Sequence, residues 1–366
     1  MKRFATAILV LAMSLIAVPA SAVEANYGYD VSWPQCSSIG SLPTDGAFKV
    51  VGVTGGMLYT SNACLTEQLL WAGAGAELYV NTGNPGPVLS VRYTAGTVGG
   101  KTCYTSNKNS SACAFLYGYR GAADAFARAK AVFDAQGLTD IKSRTWWLDV
   151  ERVNSWRGLD GNLPSDNGLS VATAQALNVA NLQGAMYFFE SVAKVDRIGI
   201  YSVTSHWQAI TGGSTAFSDH ETWMAVGQDG EQAAISECSS QPGFTGGPET
   251  RVQYIDTVSN LDVNVPCTFQ KAASASAYAG TKSTRPSRLM TLKATLRTAL
   301  GTPMANRTVQ LVFNRKTYTV TTNASGVASK TVYAPKYRGN YRVTTAYVGN
   351  DLFTAASSTS YVKVYW

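Results

Sequence analysis

Eight short apolar runs constrain this chain most: YGYDVS (27–32), KVVGVT (49–54), ELYVN (77–81), TWWLDVE (145–151), RIGIYS (197–202), ETWMAVG (221–227), RVQYI (251–255) and LDVNV (261–265). Helix-like segments at 62–72, 114–136, 169–193 and 204–210 separate several of them. Strands alternating with helices argue for a largely parallel α/β architecture, and eight is the number that closes a small barrel. The expected fold is therefore a modified TIM-like β/α barrel, imperfect because the last three runs have little helix between them. Residues 82–113 are polar, rich in Gly, Ser and Thr, and read as one long loop.

Charge divides the chain near residue 270. Residues 23–270 carry 14 Lys and Arg against 22 Asp and Glu, whereas residues 271–366 carry 14 against a single acid, Asp351. The basic part also changes pattern, with TVQLVF, KTYTVTT, ASKTVYA, YRVTTAYV and YVKVYW alternating between turns. Regular short strands of this kind predict an all-β sandwich. Its stretch NASGVASKTVYAPKYRGNYRVTTAYVGNDLFTAASS resembles bacterial immunoglobulin-like domains. The expected divisions are a leader at 1–22, a barrel at 23–270 and a basic sandwich at 271–366.

The leader, MKRFATAILVLAMSLIAVPASA, has a basic start, an apolar run shorter than a membrane span and an Ala-Ser-Ala cleavage site. It predicts export, with no membrane attachment after its removal. In an oxidising compartment the six cysteines read as disulfides, and neighbour pairing would join Cys36 to Cys64, Cys103 to Cys113 and Cys238 to Cys267. No C-x-x-C is present, and the two histidines, His206 and His220, lack ligand spacing, so neither metal nor cofactor is expected. GTVGGKT (96–102) lacks the glycine placement of a phosphate loop.

The chemistry concentrates in TWWLDVERVNSW (145–156). Alternate strand residues share a face, so Trp147, Asp149 and Glu151 point together, the two carboxylates' Cα atoms about 6.5–7 Å apart at the C-terminal end of a strand. Asp-x-Glu also occurs at Asp219/Glu221, before its strand, and at Asp229/Glu231, in a polar loop; neither position favours catalysis. Asp30 in the first run and Asp262 in the last would join the central pair if the barrel closes, since first and last strands then become neighbours.

Taken in order, YGYDVSWPQ, WWLDVE, RIGIYS, ETWMAVGQ and VQYIDTVSNLDVNV resemble glycoside hydrolase family 25, the bacterial and phage muramidases, over about residues 27–267. The resemblance implies a modified β/α barrel and cleavage of the N-acetylmuramic acid to N-acetylglucosamine linkage of peptidoglycan. It implies Glu151 as general acid, Asp149 assisting the acetamido group or the developing positive charge, and Asp30 and Asp262 completing an acidic ring. Tyr29, Trp33, Trp147, Trp156, Trp223 and Tyr254 would offer flat faces to sugar rings. The chain departs from the family at VTGGMLYTSNAC and LYVNTGNPG, which follow the second strand and close the third. A non-catalytic carbohydrate-binding protein on the same fold, or a hydrolase of another polysaccharide, remain alternatives. The basic sandwich would attract polyanions, a property that charge alone leaves common to wall polymers and nucleic acid; for an exported protein anionic wall polymers are the expected partner and nucleic acid is not.

Overall fold

A computed structural model describes residues 27–159, 168–267, 274–299, 301–350 and 352–366. The leader, the division expected at residue 270 and Asp351 lie outside the described residues.

The eight apolar runs form one closed barrel. In chain order its strands are β1 (Gly28–Val31), β2 (Phe48–Gly52), β3 (Glu77–Asn81), β6 (Thr145–Val150), β7 (Arg197–Ser202), β8 (Glu221–Ala225), β9 (Glu249–Asp256) and β10 (Leu261–Pro266). Between β3 and β6 lies a separate small hairpin, β4 (Gly96–Val98) and β5 (Lys101–Cys103), where a long loop was expected; GTVGGKT is this hairpin. Around the barrel the order is β1-β10-β9-β8-β7-β6-β3-β2. Seven strands run parallel, whereas β10 runs antiparallel to both neighbours, β1 and β9. That reversal corrects the largely parallel reading at one strand. It also matters for the site, because the start of β10 lies at the same end of the barrel as the C-termini of the other strands.

Helices α1 (Leu65–Ala72), α2 (Ser111–Ala135), α3 (Val171–Tyr187) and α4 (Thr204–Thr211) occupy the expected segments. α3 runs on into a π-helical turn, Phe188–Ala193. A fifth helix, α5 (Gly230–Glu237), stands between β8 and β9 where a polar loop was expected. Ser110 and Ser170 cap α2 and α3 by accepting from the backbone N–H groups of Cys113 and Thr173. The outer faces of the strands pack against these helices through Val51, Leu78, Leu148, Ile200, Phe133 and Phe189.

Inside the barrel the side chains form layers. Phe48, Val50, Trp147 and Trp223 fill the middle. Gly199 makes this possible, since a Cβ there would lie 2.3 Å from the Trp147 ring. The disulfides join Cys36–Cys64, Cys103–Cys113 and Cys238–Cys267, and each closed loop stabilises the fold by about 2–4 kcal/mol. No helix among the described residues is long and apolar enough to cross a membrane.

The basic part forms two sheets around one core. One holds β11 (Ser274–Tyr278), β13 (Leu289–Thr298) and β16 (Val327–Tyr333). The other, in the order β12-β18-β17-β14-β15, holds β12 (Ser283–Thr284), β14 (Thr308–Phe313), β15 (Lys316–Thr321), β17 (Gly339–Tyr347) and β18 (Ala356–Val364). Leu292, Leu296, Leu311, Phe313, Val343 and Val362 meet between them. This sandwich touches the N-terminal end of the barrel: Ser218 Oγ donates to Thr302 Oγ1 at 2.8 Å, and an Arg307 guanidinium nitrogen donates to the Asp219 carbonyl at 3.1 Å.

Candidate active site

Asp30, Asp149, Glu151 and Asp262 converge at the C-terminal end of the barrel, lining a 320 Å³ cavity with Tyr79, Tyr201, Trp223 and Gln253. Strand parity explains the convergence. Asp149 continues the inward face that begins with Thr145 and Trp147, and Glu151 follows it at the strand's end. Asp30 and Asp262 are direct cross-strand partners, which sets their Cα atoms about 4.5–5.5 Å apart. The reversal of β10 thus brings an acid from the beginning of one strand against an acid from the end of another.

Two of the four carboxyls are held by amides. Oδ2 of Asp30 accepts from Gln253 Nε2 at 2.9 Å and from Asn264 Nδ2 at 2.7 Å, and the Tyr201 hydroxyl donates to Gln253 Oε1 at 2.8 Å, which orients that amide. Oδ2 of Asp149 accepts from Asn81 Nδ2, whose own Oδ1 accepts from the Thr54 hydroxyl at 2.6 Å. Glu151 is positioned through its backbone: the Trp156 indole N–H donates to its carbonyl at 2.8 Å.

Among the described residues, no lysine or arginine lines this cavity. Burial therefore acts against ionisation without a compensating cation. It pushes Glu151 up, with Asp262 adding to the shift, and it pushes Asp262 up to about 6. Burial raises Asp30 and Asp149 well above the ordinary range; Asp262 adds to the first, and Glu151 and Asp30 add to the second. Four such groups share protons at a pH where exposed carboxyls have lost theirs. A cleft holding both a proton donor and amide-held carboxyl oxygens can protonate a leaving group and face the positive charge that develops.

The expected aromatic faces are only partly available. Trp33 is 50% exposed, just past β1 at the acid end of the barrel. Gly56, at φ +86°, leaves room for it, because a Cβ there would lie 2.6 Å from the indole nitrogen. Trp147 and Trp156 are fully buried and present no face: the first is the barrel's middle layer, and the second packs in the core outside it. Trp223, 1% exposed, contributes to the cavity lining, its ring against Tyr201 at 4.5 Å and Trp147 at 5.5 Å. Tyr29 and Tyr254 flank Val263 in register on the outer face of the barrel, away from the acids. Sequence reasoning missed Tyr79, Tyr201, Asn81, Gln253 and Asn264. Each shares an inward face with an acid or with the middle layer, so strand parity carried the signal.

In the other two Asp-x-Glu pairs, Asp219, Glu221 and Glu231 take up structural contacts. The Arg197 guanidinium donates to both oxygens of Glu221 at 3.0 and 2.7 Å. Nδ1 of His220 lies 2.8 Å from Asp219 Oδ1, and its Nε2 lies 2.9 Å from Glu190 Oε1. Burial pulls the His220 pKa down, but the two carboxylates outweigh it and push it up to about 10. These three side chains lie close enough together to offer a metal ion ligands, a grouping the sequence spacing did not reveal. Each imidazole nitrogen already faces a carboxylate, so the trio holds together as an ion-paired clamp. Glu231 accepts from the Tyr27 hydroxyl.

No family model and no curated protein matches the chain. Among solved structures it is similar to the Clostridium perfringens spore cortex lytic enzyme SleM, at 12% identity over 92% of this chain and 97% of that one, with a TM-score of 0.41. It is also similar to an endo-beta-1,4-mannanase from Thermotoga petrophila, at 8% identity over 87% and 91% of the two chains, TM-score 0.21. A CARDB domain of PF1109 from Pyrococcus furiosus matches 26% of this chain over its own full length, at 15% identity and a TM-score of 0.20. At these levels the neighbours do not fix a chemistry.

Proposed function

We propose that the chain is an exported glycoside hydrolase that cleaves peptidoglycan glycan strands, with Glu151 as general acid. The observation that supports this reading is the cavity, free of Lys and Arg among the described residues, where four carboxyls meet at the C-terminal end of a closed barrel. Glu151, raised by burial and by Asp262, keeps a proton to give to the glycosidic oxygen. Asp149, fixed by Asn81, stands next along the same strand and faces the oxocarbenium-like charge or the substrate's acetamido group. Asp30 and Asp262 complete the acidic ring, and water supplies the hydroxyl of the new reducing end. Trp33 is the exposed ring best placed for a sugar.

The three disulfides fit an oxidising, extracellular setting. We assign the basic part to an immunoglobulin-like module that holds the enzyme on anionic wall polymers. It meets the barrel at the end opposite the acids, so attachment leaves the cavity open. A purely carbohydrate-binding role is less well supported, because three of the four tryptophans it would use, Trp147, Trp156 and Trp223, are buried.

A panel of purified polysaccharides tests the assignment. Wild-type protein should release reducing ends from peptidoglycan, with N-acetylmuramic acid at the new ends, and little from chitin or mannan. Release from another polymer alone would reassign the substrate, and release from none would leave a binding protein.

A further inference from the structure

We infer that the outer face of the five-stranded sheet is a track for a linear, phosphate-bearing glycan or polyol polymer. The inference rests on the wall-attachment reading above and locates it. Along β17 and β18 the residues alternate between core and solvent, and the outward set includes Arg342, Tyr361 and Lys363. Arg342 and Tyr361 are direct cross-strand partners, and Lys363 stands two residues further on, opposite Asn340. The turn between β14 and β15 adds Arg315, which with Arg342 and Thr344 borders a 390 Å³ hollow in the same face.

The order Arg315, Arg342, Tyr361, Lys363 places a tyrosine ring, 58% exposed, between cations. Neighbouring strands stand about 4.8 Å apart and alternate residues about 6.5–7 Å, so the cations recur at intervals of several ångströms along the face. A polymer with regularly spaced phosphates and intervening sugars or polyols matches this order: guanidinium and ammonium groups take the phosphates, and the ring takes an apolar sugar face.

Two features set this face apart from an ordinary solvated surface. Residues 271–366 carry 14 Lys and Arg against a single acid, Asp351, and no Asp or Glu occurs among the described residues of the sandwich, so its cations far outnumber the acids of their own module. The side chains of Arg315, Arg342 and Tyr361 make no hydrogen bond, ion pair or ring contact among the described residues, which leaves them free for a ligand. The remaining outward positions include Thr308, Gln310, Thr317, Thr319, Thr321, Ser357 and Thr359, short groups that let a polymer lie close.

The test uses the full chain and purified bacterial walls, either intact or stripped of phosphodiester polymers with hydrofluoric acid. Arg315→Gln, Arg342→Gln and Lys363→Gln together should lower retention on intact walls by at least about tenfold at low salt. Lys293→Gln, Arg297→Gln and Lys330→Gln together remove the same charge from the three-stranded sheet and should cost less than about threefold. Tyr361→Ala keeps every charge and should also weaken retention, with unchanged thermal unfolding showing that the fold is intact. Wild-type protein should lose most of its retention on stripped walls.

Equal losses from the two triple variants would overturn the track in favour of net charge alone. Undiminished binding to stripped walls would also overturn it, as would tighter binding to single-stranded DNA than to intact walls. Wall binding without release of reducing ends would sink the hydrolytic reading while leaving the track in place.

Discussion

The two ends of the barrel hold acids in opposite company. At the N-terminal end, Glu77 receives a two-pronged contact from Arg251 at 2.7 and 3.0 Å, Glu221 lies against Arg197, and Asp219 and Glu190 flank His220. At the C-terminal end, Asp30, Asp149, Glu151 and Asp262 share a cavity that no lysine or arginine among the described residues lines. Folding alone favours the first arrangement, because a buried charge costs several kcal/mol unless a partner compensates it. Buried acids without cations are the feature that a purely structural account leaves unexplained, and they are what proton transfer near neutral pH requires.

The largest stability effect should come from breaking a pair at the N-terminal end. Arg251→Met leaves Glu77 buried without its cation and removes the guanidinium 4.6 Å over the Trp147 ring. We expect a loss of about 3–5 kcal/mol in denaturant unfolding. The opposite sign is expected at the other end: Asp30→Asn removes a buried acid that no cation neutralises and should stabilise the fold at pH 7 by about 0.5–2 kcal/mol while lowering activity. Destabilisation by Asp30→Asn would show that the cluster serves the fold.

A smaller effect sharpens the comparison by way of its exception. Glu249 is fully buried at the start of β9, neither carboxyl oxygen has a hydrogen-bond partner among the described residues, and burial with nearby Glu237 pushes it up to about 8. The folded state therefore holds this proton more tightly than the unfolded chain, whose glutamates titrate near 4.3. Its contribution to stability is full below about 4.3, erodes as pH rises and is lost above about 8. Glu249→Gln should flatten that fall in unfolding free energy, and an unchanged slope would reassign it to other groups.

Activity should follow the proton of Glu151. Its raised pKa keeps the donor protonated to higher pH than an exposed glutamate, so the rate should decline as pH rises through that pKa. Asp262→Asn takes away a neighbouring negative charge and should move the decline to lower pH, read from the pH dependence of kcat/KM.

Much of this was legible in the sequence because strand periodicity survives folding. Eight runs gave eight strands, and parity placed Asp149 and Glu151 on one face. The reversal of β10 was not legible, since LDVNV alternates identically read in either direction. Exposure of the tryptophans was not legible either. A barrel strand is buried on both faces, inward against other strands and outward against helices, so Trp146 and Trp147 are both at 0% exposure from adjacent positions. The misplacement of Tyr29 was avoidable: it adjoins Asp30, and a residue next to an inward acid faces outward. The clamp of Glu190, Asp219 and His220 depends on a π-helical turn meeting the entry to β8, a tertiary meeting that no local spacing records.

The most direct test of the cation-free cluster as the working end is reducing-end release from purified peptidoglycan by wild-type protein and Glu151→Gln, compared at matched thermal stability. The substitution keeps shape and removes the proton donor, so the account predicts a fall of about 10²–10⁴-fold with an unchanged fold. Release at the wild-type rate by Glu151→Gln would contradict it.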